Sequence, residues 1–261
     1  MKACIKYLSI VVAIIVLLLC IMRLHPYYRY AQPQDVVLEF LSLNNRKDTL
    51  KVAFIGDSWA DYHYPYDSLL CSMLSKDGKM VSVKSKGNVG AKSKEIYERL
   101  STTTNQILMW HPQYCVISAG INDAVAKLGK DYYVYHYQLI LNHLIRLGIK
   151  PIVVEIPDVN YRAIANRESW TMRLRHLVSS LLTGSEIYGF ESYRASLWSA
   201  VNHLEKEGKI LYIPVSVWNA GGYLDDREFY QSDETHLNAK GYHLLDSCIA
   251  SEIILDNKQM K

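Results

Sequence analysis

Three short polar segments, far apart in the chain, contain the residue types of a serine-nucleophile site. They are GDSWA at Gly56–Ala60, GIND at Gly120–Asp123 and SDETHLN at Ser232–Asn238. A serine hydroxyl needs a base to take its proton, and that base needs a third group to fix its tautomer. Together the segments supply a serine, a histidine, a carboxylate and a side-chain amide, which are the groups that acyl-transfer chemistry uses.

Ser58 is the candidate nucleophile, because a strand that runs into a Gly-Asp-Ser turn lifts this side chain above the carboxyl edge of a sheet. His236 is the candidate base. Asp233 precedes it by three residues, a spacing that lets the carboxylate reach the imidazole Nδ1 and leaves Nε2 for Ser58. Each turn taken alone is also explained as a helix cap, since Ser and Asp are preferred there. Their common placement at one edge of one sheet favours the catalytic interpretation.

Asn122 is the candidate donor to the oxyanion of a tetrahedral intermediate, where loss of one donor typically costs about 3–4 kcal/mol. We expect the backbone N–H groups of Ser58 and of a glycine after the second strand to complete the oxyanion hole. Gly87 and Gly90 are both available, and Gly90 is preferred because it precedes a helix start. Plain turns are the simpler explanation for Asn122 and for either glycine.

Two more residues are expected near the nucleophile: Trp59 beside Ser58 in the pocket, and His63 along its lining. A metal site is not expected, because the sequence has neither an H-E-x-x-H motif nor a Cys/His cluster. No cofactor is implied. The G-x-S-x-G elbow of α/β-hydrolases is missing from the sequence, which excludes that pattern.

The elements that position these groups are visible in the hydrophobic pattern. Short β-branched runs predict strands at Val52–Ile55, Met80–Lys84, Tyr114–Ser118, Ile152–Ile156 and Ile210–Ile213. Amphipathic stretches predict helices at Lys94–Asn105, Tyr132–Leu147, Arg162–Leu182, Tyr193–Glu207 and Ala239–Leu255. The alternation predicts a flavodoxin-like α/β domain with a five-stranded parallel sheet and helices on both faces. Part of residues 157–209 is expected to form a cap over the site.

Residues 1–23 are expected to form a membrane anchor, followed by a stalk over residues 24–46 and the catalytic domain over residues 47–261. Tyr7–Met22 is an apolar run of 16 residues. It spans about 24 Å, and flanking basic side chains can reach the rest of a ~30 Å hydrocarbon core. A cleaved signal peptide is the alternative, although no A-x-A-like site follows the run. The flanking charges are nearly balanced and do not set the orientation.

Composition excludes a nucleic-acid partner. The chain of 261 residues has 29 Lys and Arg against 26 Asp and Glu, a net charge of +3. The first 30 residues carry Lys2, Lys6, Arg23 and Arg29 and no acid, so the remainder is close to neutral and has no basic excess. The five cysteines do not suggest a disulfide framework.

The segments resemble, in order, the four blocks of the SGNH hydrolase (GDSL-like lipase/esterase) family. Gly56-Asp57-Ser58 is similar to the nucleophile block, Gly90 to the glycine block, Gly120–Asp123 to the GxND block, and Asp233–Tyr242 to the DxxHLNxxGY block, the most specific of the four. The resemblance covers about residues 51–255. It implies a three-layer α/β/α fold and metal-independent hydrolysis of esters, often acetyl groups on carbohydrates. Trp59 departs from the commoner Leu, and the glycine block is loose.

The expected function is therefore that of a membrane-anchored serine esterase of the carboxylic ester hydrolase class (EC 3.1.1 type). Its domain would face the periplasm or the exterior and act on small acyl esters, mainly acetyl, of cell-surface or dietary carbohydrate. The alternatives are acyl transfer to a glycan hydroxyl, lysophospholipase or thioesterase activity, and an inactive glycan-binding module. Its expected partners are the acylated substrate and the membrane, and the sequence does not indicate an oligomeric state.

Overall fold

A computed structural model describes residues 2–34, 49–75, 80–102, 106–186, 189–219 and 227–259 of the chain. Five strands form one parallel sheet in the order β2-β1-β3-β4-β5. They are β1 (Thr49–Gly56), β2 (Met80–Gly87), β3 (Tyr114–Ser118), β4 (Lys150–Val154) and β5 (Leu211–Ile213). The predicted flavodoxin-like sheet is confirmed, with strand ends shifted by up to three residues.

The described α-helices include an N-terminal helix and those that cover both faces of the sheet. They are α1 (Lys2–Arg23), α2 (Ser58–His63), α3 (Asp67–Leu74), α4 (Ser93–Leu100), α5 (Gln106–Met109), α6 (Ile121–Val125), α7 (Lys130–Arg146), α8 (Tyr161–Arg167), α9 (Trp170–Thr183), α10 (Glu191–Lys206) and α11 (Ala239–Gln259). The helices α4, α7 and α10 pack together on one face, and α3 packs with α11 on the other. The three-layer α/β/α fold is thus confirmed.

The core lies between these layers. All five residues of β3 are buried, as are the last five of β1. On α7, Tyr133, Tyr137, Ile140 and Leu144 are fully buried at helical spacing, so this face of the helix rests on the sheet.

The predicted helix Arg162–Leu182 is two helices in the structure, because the backbone of Glu168 is extended. The Ser169 side chain accepts a hydrogen bond from the N–H of Met172 (3.3 Å) and caps α9. The predicted helix Lys94–Asn105 ends at Leu100, and the part of that prediction at residues 103–105 lies outside the described residues.

The described side chains of the N-terminal helix α1 take no part in the core, and the helix touches α9 at its end, where Arg23 donates to the Leu182 carbonyl. Its 18-residue window Lys6–Arg23 has a mean hydropathy of 2.3, so the helix is long and apolar enough to cross a membrane. None of this window is buried. A signal sequence near the N-terminus would pass the same test. The chain after it docks on the domain: Tyr27 and Tyr28 pack against Leu128 and Tyr132. The remainder of the expected stalk, residues 35–46, lies outside the described residues.

Candidate active site

The turn at Gly56–Ser58, which carries the candidate nucleophile, joins β1 to α2 at the carboxyl edge of the sheet. Asp57 caps α2, its Oδ1 accepting the N–H of Trp59 at 3.0 Å, and Ser58 is the first residue of the helix. A Cβ on Gly56 would lie 2.0 Å from the carbonyl oxygen of Ser118, and one on Gly87 would lie 2.1 Å from that of Asp57. Both positions therefore require glycine, since the neighbouring strand and helix backbones approach them closely.

The structure brings Ser58, His236 and Asp233 into one hydrogen-bonded chain. The Nε2 atom of His236 lies 2.8 Å from Ser58 Oγ, and its Nδ1 atom lies 2.5 Å from Asp233 Oδ2. An ionised carboxylate only accepts hydrogen bonds, so Nδ1 carries the hydrogen and Nε2 accepts the hydroxyl proton of Ser58. This is the tautomer that a general base for the serine requires.

Asp233 is fixed by the turn that it begins. Its Oδ1 atom accepts the N–H groups of Thr235 and His236, each at 3.0 Å. Burial alone would raise the pKa of Asp233, but the hydrogen bonds from His236 and Thr235 outweigh it and hold that pKa below its usual value. The carboxylate is therefore kept ionised beside the imidazole.

The residues after His236 anchor it to the fold. Leu237 is fully buried, and the side chain of Asn238 caps α11 by accepting the N–H of Lys240 at 2.9 Å. Further along α11, the hydroxyl of Tyr242 donates to the carbonyl of Trp59 at 2.9 Å. The HLNxxGY segment thus connects the loop that carries His236 directly to α2.

Asn122 lies in the first turn of α6, beside the turn at Gly56–Ser58. Its Nδ2 atom donates to Asp57 Oδ2 at 3.3 Å and to the carbonyl of Ala91 at 3.1 Å. The neighbouring Asp123 is fully buried and accepts the backbone N–H and the hydroxyl of Ser93, at 2.9 and 2.6 Å. These contacts hold the start of α4 against the start of α6.

Asp57 is a buried carboxyl group next to Ser58, the candidate nucleophile. Burial raises its pKa to about 7, although hydrogen bonds from the Trp59 N–H and the Ser118 hydroxyl act in the opposite direction. Asp123 behaves similarly: burial raises its pKa to about 6 against the hydrogen bonds from Ser93. Two carboxyl groups with raised pKa values therefore flank Asn122.

Gly90 is exposed in the loop between β2 and α4, with a φ of +76°. The next residue, Ala91, provides the carbonyl that Asn122 contacts. Gly90 is therefore the neighbour in sequence of a residue that Asn122 contacts directly.

Trp59 and His63 do not line the pocket as expected, because both are buried in the core. Trp59 is 1% exposed, and its ring packs edge-on against Trp218. His63 has no exposed surface and bonds through Nε2 to Asp246 Oδ1 at 2.8 Å. Trp59 and His63 are four residues apart, which is about one helical turn, so their side chains lie on the same face of α2. That face is not the one that carries Ser58.

Two contacts of the histidine loop were not predicted from the sequence. The Tyr62 ring, four residues after Ser58 on the same helix face, lies 4.4 Å from the His236 ring between centroids. Arg167 donates from Nη2 to the carbonyl of Asp233 at 2.8 Å and to Thr235 Oγ1 at 3.0 Å. The contact of Tyr62 could have been predicted from its spacing of four residues from Ser58 on a helix. No local sequence pattern indicates the contact of Arg167.

The segment 157–209, expected to contribute a cap, contacts the loop that carries Asp233 and His236 through α8. Besides Arg167, Asn160 donates from Nδ2 to Glu234 Oε2 at 2.6 Å and from its backbone N–H to the Glu234 carbonyl at 3.1 Å. The helix α10 packs instead on α7, within the helical layer. Among the described residues, no group of three or more His, Cys, Asp or Glu side chains is arranged to hold a metal ion.

Comparison with known proteins identifies the family. The model of the GDSL-like Lipase/Acylhydrolase family matches residues 54–244, which include the GDSWA, GIND and SDETHLN segments. No curated protein matches the sequence.

Solved structures share the fold at low sequence identity. An acetyl xylan esterase has a TM-score of 0.53 at 17% identity, covering 78% of this chain and 98% of its own. A GDSL-like lipase from Bacteroides thetaiotaomicron has a TM-score of 0.52 at 17% identity, with 78% and 87% covered. A lipase/acylhydrolase from Enterococcus faecalis has a TM-score of 0.51 at 20% identity, with 78% and 95% covered. At such identities the likeness establishes the fold alone.

Proposed function

Because the chain belongs to the GDSL-like lipase/acylhydrolase family, we propose that it is a serine ester hydrolase with Ser58, His236 and Asp233 as its catalytic triad. The observation that carries this proposal is the pair of contacts of His236, 2.8 Å to Ser58 Oγ and 2.5 Å to Asp233 Oδ2. A helix cap or a lone loop histidine would not require both contacts at once.

In the proposed reaction, Ser58 Oγ attacks the ester carbonyl carbon while its proton passes to His236 Nε2. The oxygen of the tetrahedral intermediate accepts hydrogen bonds from the N–H groups of Ser58 and Gly90 and from Asn122 Nδ2. Collapse of the intermediate breaks the bond to the alcohol, which takes the proton from His236. Water then attacks the acyl-enzyme with the same base, which releases the acid and restores Ser58.

The contacts of the Asn122 amide in the structure suit a donor to the oxyanion. Its two amide hydrogens point to Ala91 and Asp57, and the contact to Asp57 is the longer, at 3.3 Å. Exchanging that contact for the substrate oxygen leaves the contact to Ala91 in place. The amide would then be oriented by the protein before the intermediate forms.

We propose small acyl esters, mainly acetyl, on carbohydrate as the substrates. The His236 and Asp233 side chains are 15% and 31% exposed and Ser58 is 8% exposed, so the proposed site opens to the surface at its histidine and aspartate. An open site accepts an acyl group carried on a bulky polymer. The exposed ring of Tyr62 beside His236 offers a surface against which a sugar can stack.

We further propose that α1 remains as a single-pass anchor, with the domain on the periplasmic or extracellular side. The support is the 18-residue apolar window of α1, none of which is buried against the domain. Extraction at alkaline pH tests this: an anchored chain stays with the membrane pellet, and release of a shortened chain would contradict an uncleaved anchor.

The decisive experiment compares the full chain in detergent with its Ser58→Ala variant in hydrolysis of p-nitrophenyl acetate. We expect kcat to fall by on the order of 10³-fold or more in the variant, because the nucleophile is gone. Ser251→Ala, an exposed serine of α11, is the matched control and keeps full activity. Undiminished activity in Ser58→Ala would contradict the proposed nucleophile.

The substrate part of the proposal has its own test. Acetate release from acetylated xylan is compared with fatty acid release from a lysophospholipid, at equal enzyme concentration. We expect the acetylated glycan to give the larger kcat/KM, and a preference for the lysophospholipid would overturn the carbohydrate assignment.

A further inference from the structure

The helix α9 exposes its apolar face. Trp170, Leu174, Leu177 and Leu181 follow one another at intervals of four, three and four residues, which places them on one side of a helix. Their exposed fractions are 76%, 53%, 50% and 73%. We call these four residues the α9 stripe.

The opposite face of α9 is polar and docked. Ser179 is buried and shares a hydrogen bond with the hydroxyl of Tyr28, and the Arg175 guanidinium lies 4.4 Å from the centre of the Tyr27 ring. Thr183 donates to the carbonyl of Lys127 at 2.9 Å. This is the reverse of a helix on a water-facing domain, which turns its apolar side inward.

An exposed stripe of this kind is unfavourable in water. Full burial of one large aliphatic or aromatic side chain is worth roughly 1.5–3 kcal/mol, and the stripe contains four of them. Contiguous apolar patches on a protein surface mark contacts with another protein or with lipid. The stripe therefore needs an apolar partner outside the described residues.

The last residue of the α9 stripe, Leu181, lies beside the end of α1. The guanidinium of Arg23, the last residue of α1, donates from Nη1 to the carbonyl of Leu182 at 3.5 Å. Leu182 directly follows Leu181 of the α9 stripe. If α1 crosses a bilayer, the boundary of that bilayer lies beside this end of the stripe.

We propose that α9 lies in the lipid interface of the membrane that holds α1, with the α9 stripe among the outer acyl chains. This inference rests on the anchor proposed above. The exposed Arg173 directly precedes Leu174 of the stripe, and α9 contains no acidic residue, which suits anionic phosphate headgroups. Trp170 at its far end is the residue type that prefers the membrane interface.

Trp170 is the position that tests this inference. It is twelve residues from Leu182, which is about 18 Å along a helix. A helix lying along the bilayer brings Trp170 to the lipid, whereas a helix pointing away from it would hold the indole far above the headgroups.

The test uses the full chain in lipid nanodiscs that contain a phospholipid spin-labelled near its headgroup, with tryptophan fluorescence as the readout. Trp170→Phe is compared with Trp198→Phe, a tryptophan of α10 that is 40% exposed and packs against Tyr212. We expect Trp170→Phe to lose more than half of the lipid-dependent quenching, and Trp198→Phe to retain it.

Equal quenching in wild type and Trp170→Phe would overturn the contact. The contact would also be overturned if each disc held two chains and Trp170 were shielded from the spin label. That result would identify a second copy as the partner of the α9 stripe. A chain that does not enter the discs contradicts the anchor together with this contact. Loss of esterase activity bears only on the hydrolase, since Trp170 is not part of the triad.

Discussion

Arg167 of α8 binds the loop that carries Asp233 and His236, its Nη2 atom lying 2.8 Å from the carbonyl oxygen of Asp233. Within this loop Glu234 has a φ of +58°, a left-handed conformation that few non-glycine residues adopt. Such a conformation persists when the surroundings hold it in place. Arg167 and Asn160 provide that support, and Arg167 is therefore a positioning residue for the Asp233–His236 pair.

We predict that Arg167→Gln lowers kcat about 3–10-fold and leaves KM nearly unchanged, because a loosened loop misplaces the base without touching bound substrate. Arg167→Lys should recover part of the loss. Steady-state kinetics on p-nitrophenyl acetate measure both. Arg162→Gln, an exposed arginine on the same helix, is the control, and equal kcat values in the two glutamine variants would argue against a positioning role.

Asn122→Ala should lower kcat by about 10²–10³-fold, the usual effect of removing one oxyanion donor. The KM for p-nitrophenyl acetate should change little, since the donor acts on charge that develops after binding. Asn202→Ala on α10 serves as the control. Among the described contacts, the Asn202 amide donates only to carbonyls of its own helix. A loss below threefold in Asn122→Ala would remove this residue from the proposed oxyanion hole.

His63 supports the fold rather than the substrate, and its loss should show in stability. Burial acts to lower the pKa of His63, but Asp246 and Asp67 outweigh it and raise that pKa. In His63→Ala, Asp246 remains fully buried without its imidazole partner. We predict a loss of about 3–5 kcal/mol in the free energy of unfolding, measured with urea.

A double-mutant cycle checks this interpretation. Asp246→Asn combined with His63→Ala should be less destabilising than the sum of the two single changes, since no unpaired charge is left. Strict additivity would show that the two groups do not depend on each other.

Asp57 should make the protein less stable as pH rises. Its pKa is about 7 in the folded chain, against an ordinary value of 3.8. Between these values the folded state keeps a proton that the unfolded state has lost, so the free energy of unfolding falls as pH rises from about 4 to about 7. In Asp57→Asn this contribution disappears.

Urea unfolding at pH 4.5 and pH 8 measures the effect. The fall in stability between these two pH values should be smaller in Asp57→Asn than in wild type by on the order of 2–4 kcal/mol. Asp61→Asn changes an exposed carboxylate of the same helix and should behave as wild type. The prediction fails if Asp57→Asn and wild type lose stability in parallel.

The sheet could be predicted from the sequence because buried parallel strands appear as short β-branched runs between helical patterns. Tyr114–Ser118 was located to the residue in this way. The spacing of Asp233 and His236 was equally informative, since an ion pair across one turn is a local property.

The direction in which Trp59 and His63 point was not predictable from the sequence. It depends on how the first turn of α2 is rotated about the helix axis as the chain leaves Gly56. The same holds for α2 and α6 themselves, which are too short to show a helical period. Arg167 meets Asp233 across 66 residues of sequence, a contact set by the packing of α8 and by no local pattern.

The link between α1 and the domain is very short. Only Leu24 and His25 separate Arg23 from Pro26, whose carbonyl accepts a hydrogen bond from Lys94 Nζ at 3.1 Å. Two residues extend to roughly 7 Å, far less than the width of the domain. With α1 in a bilayer, the enzyme would sample substrate only in a thin layer along that surface, so its turnover in the cell would follow the areal density of esters and lateral diffusion rather than their bulk concentration.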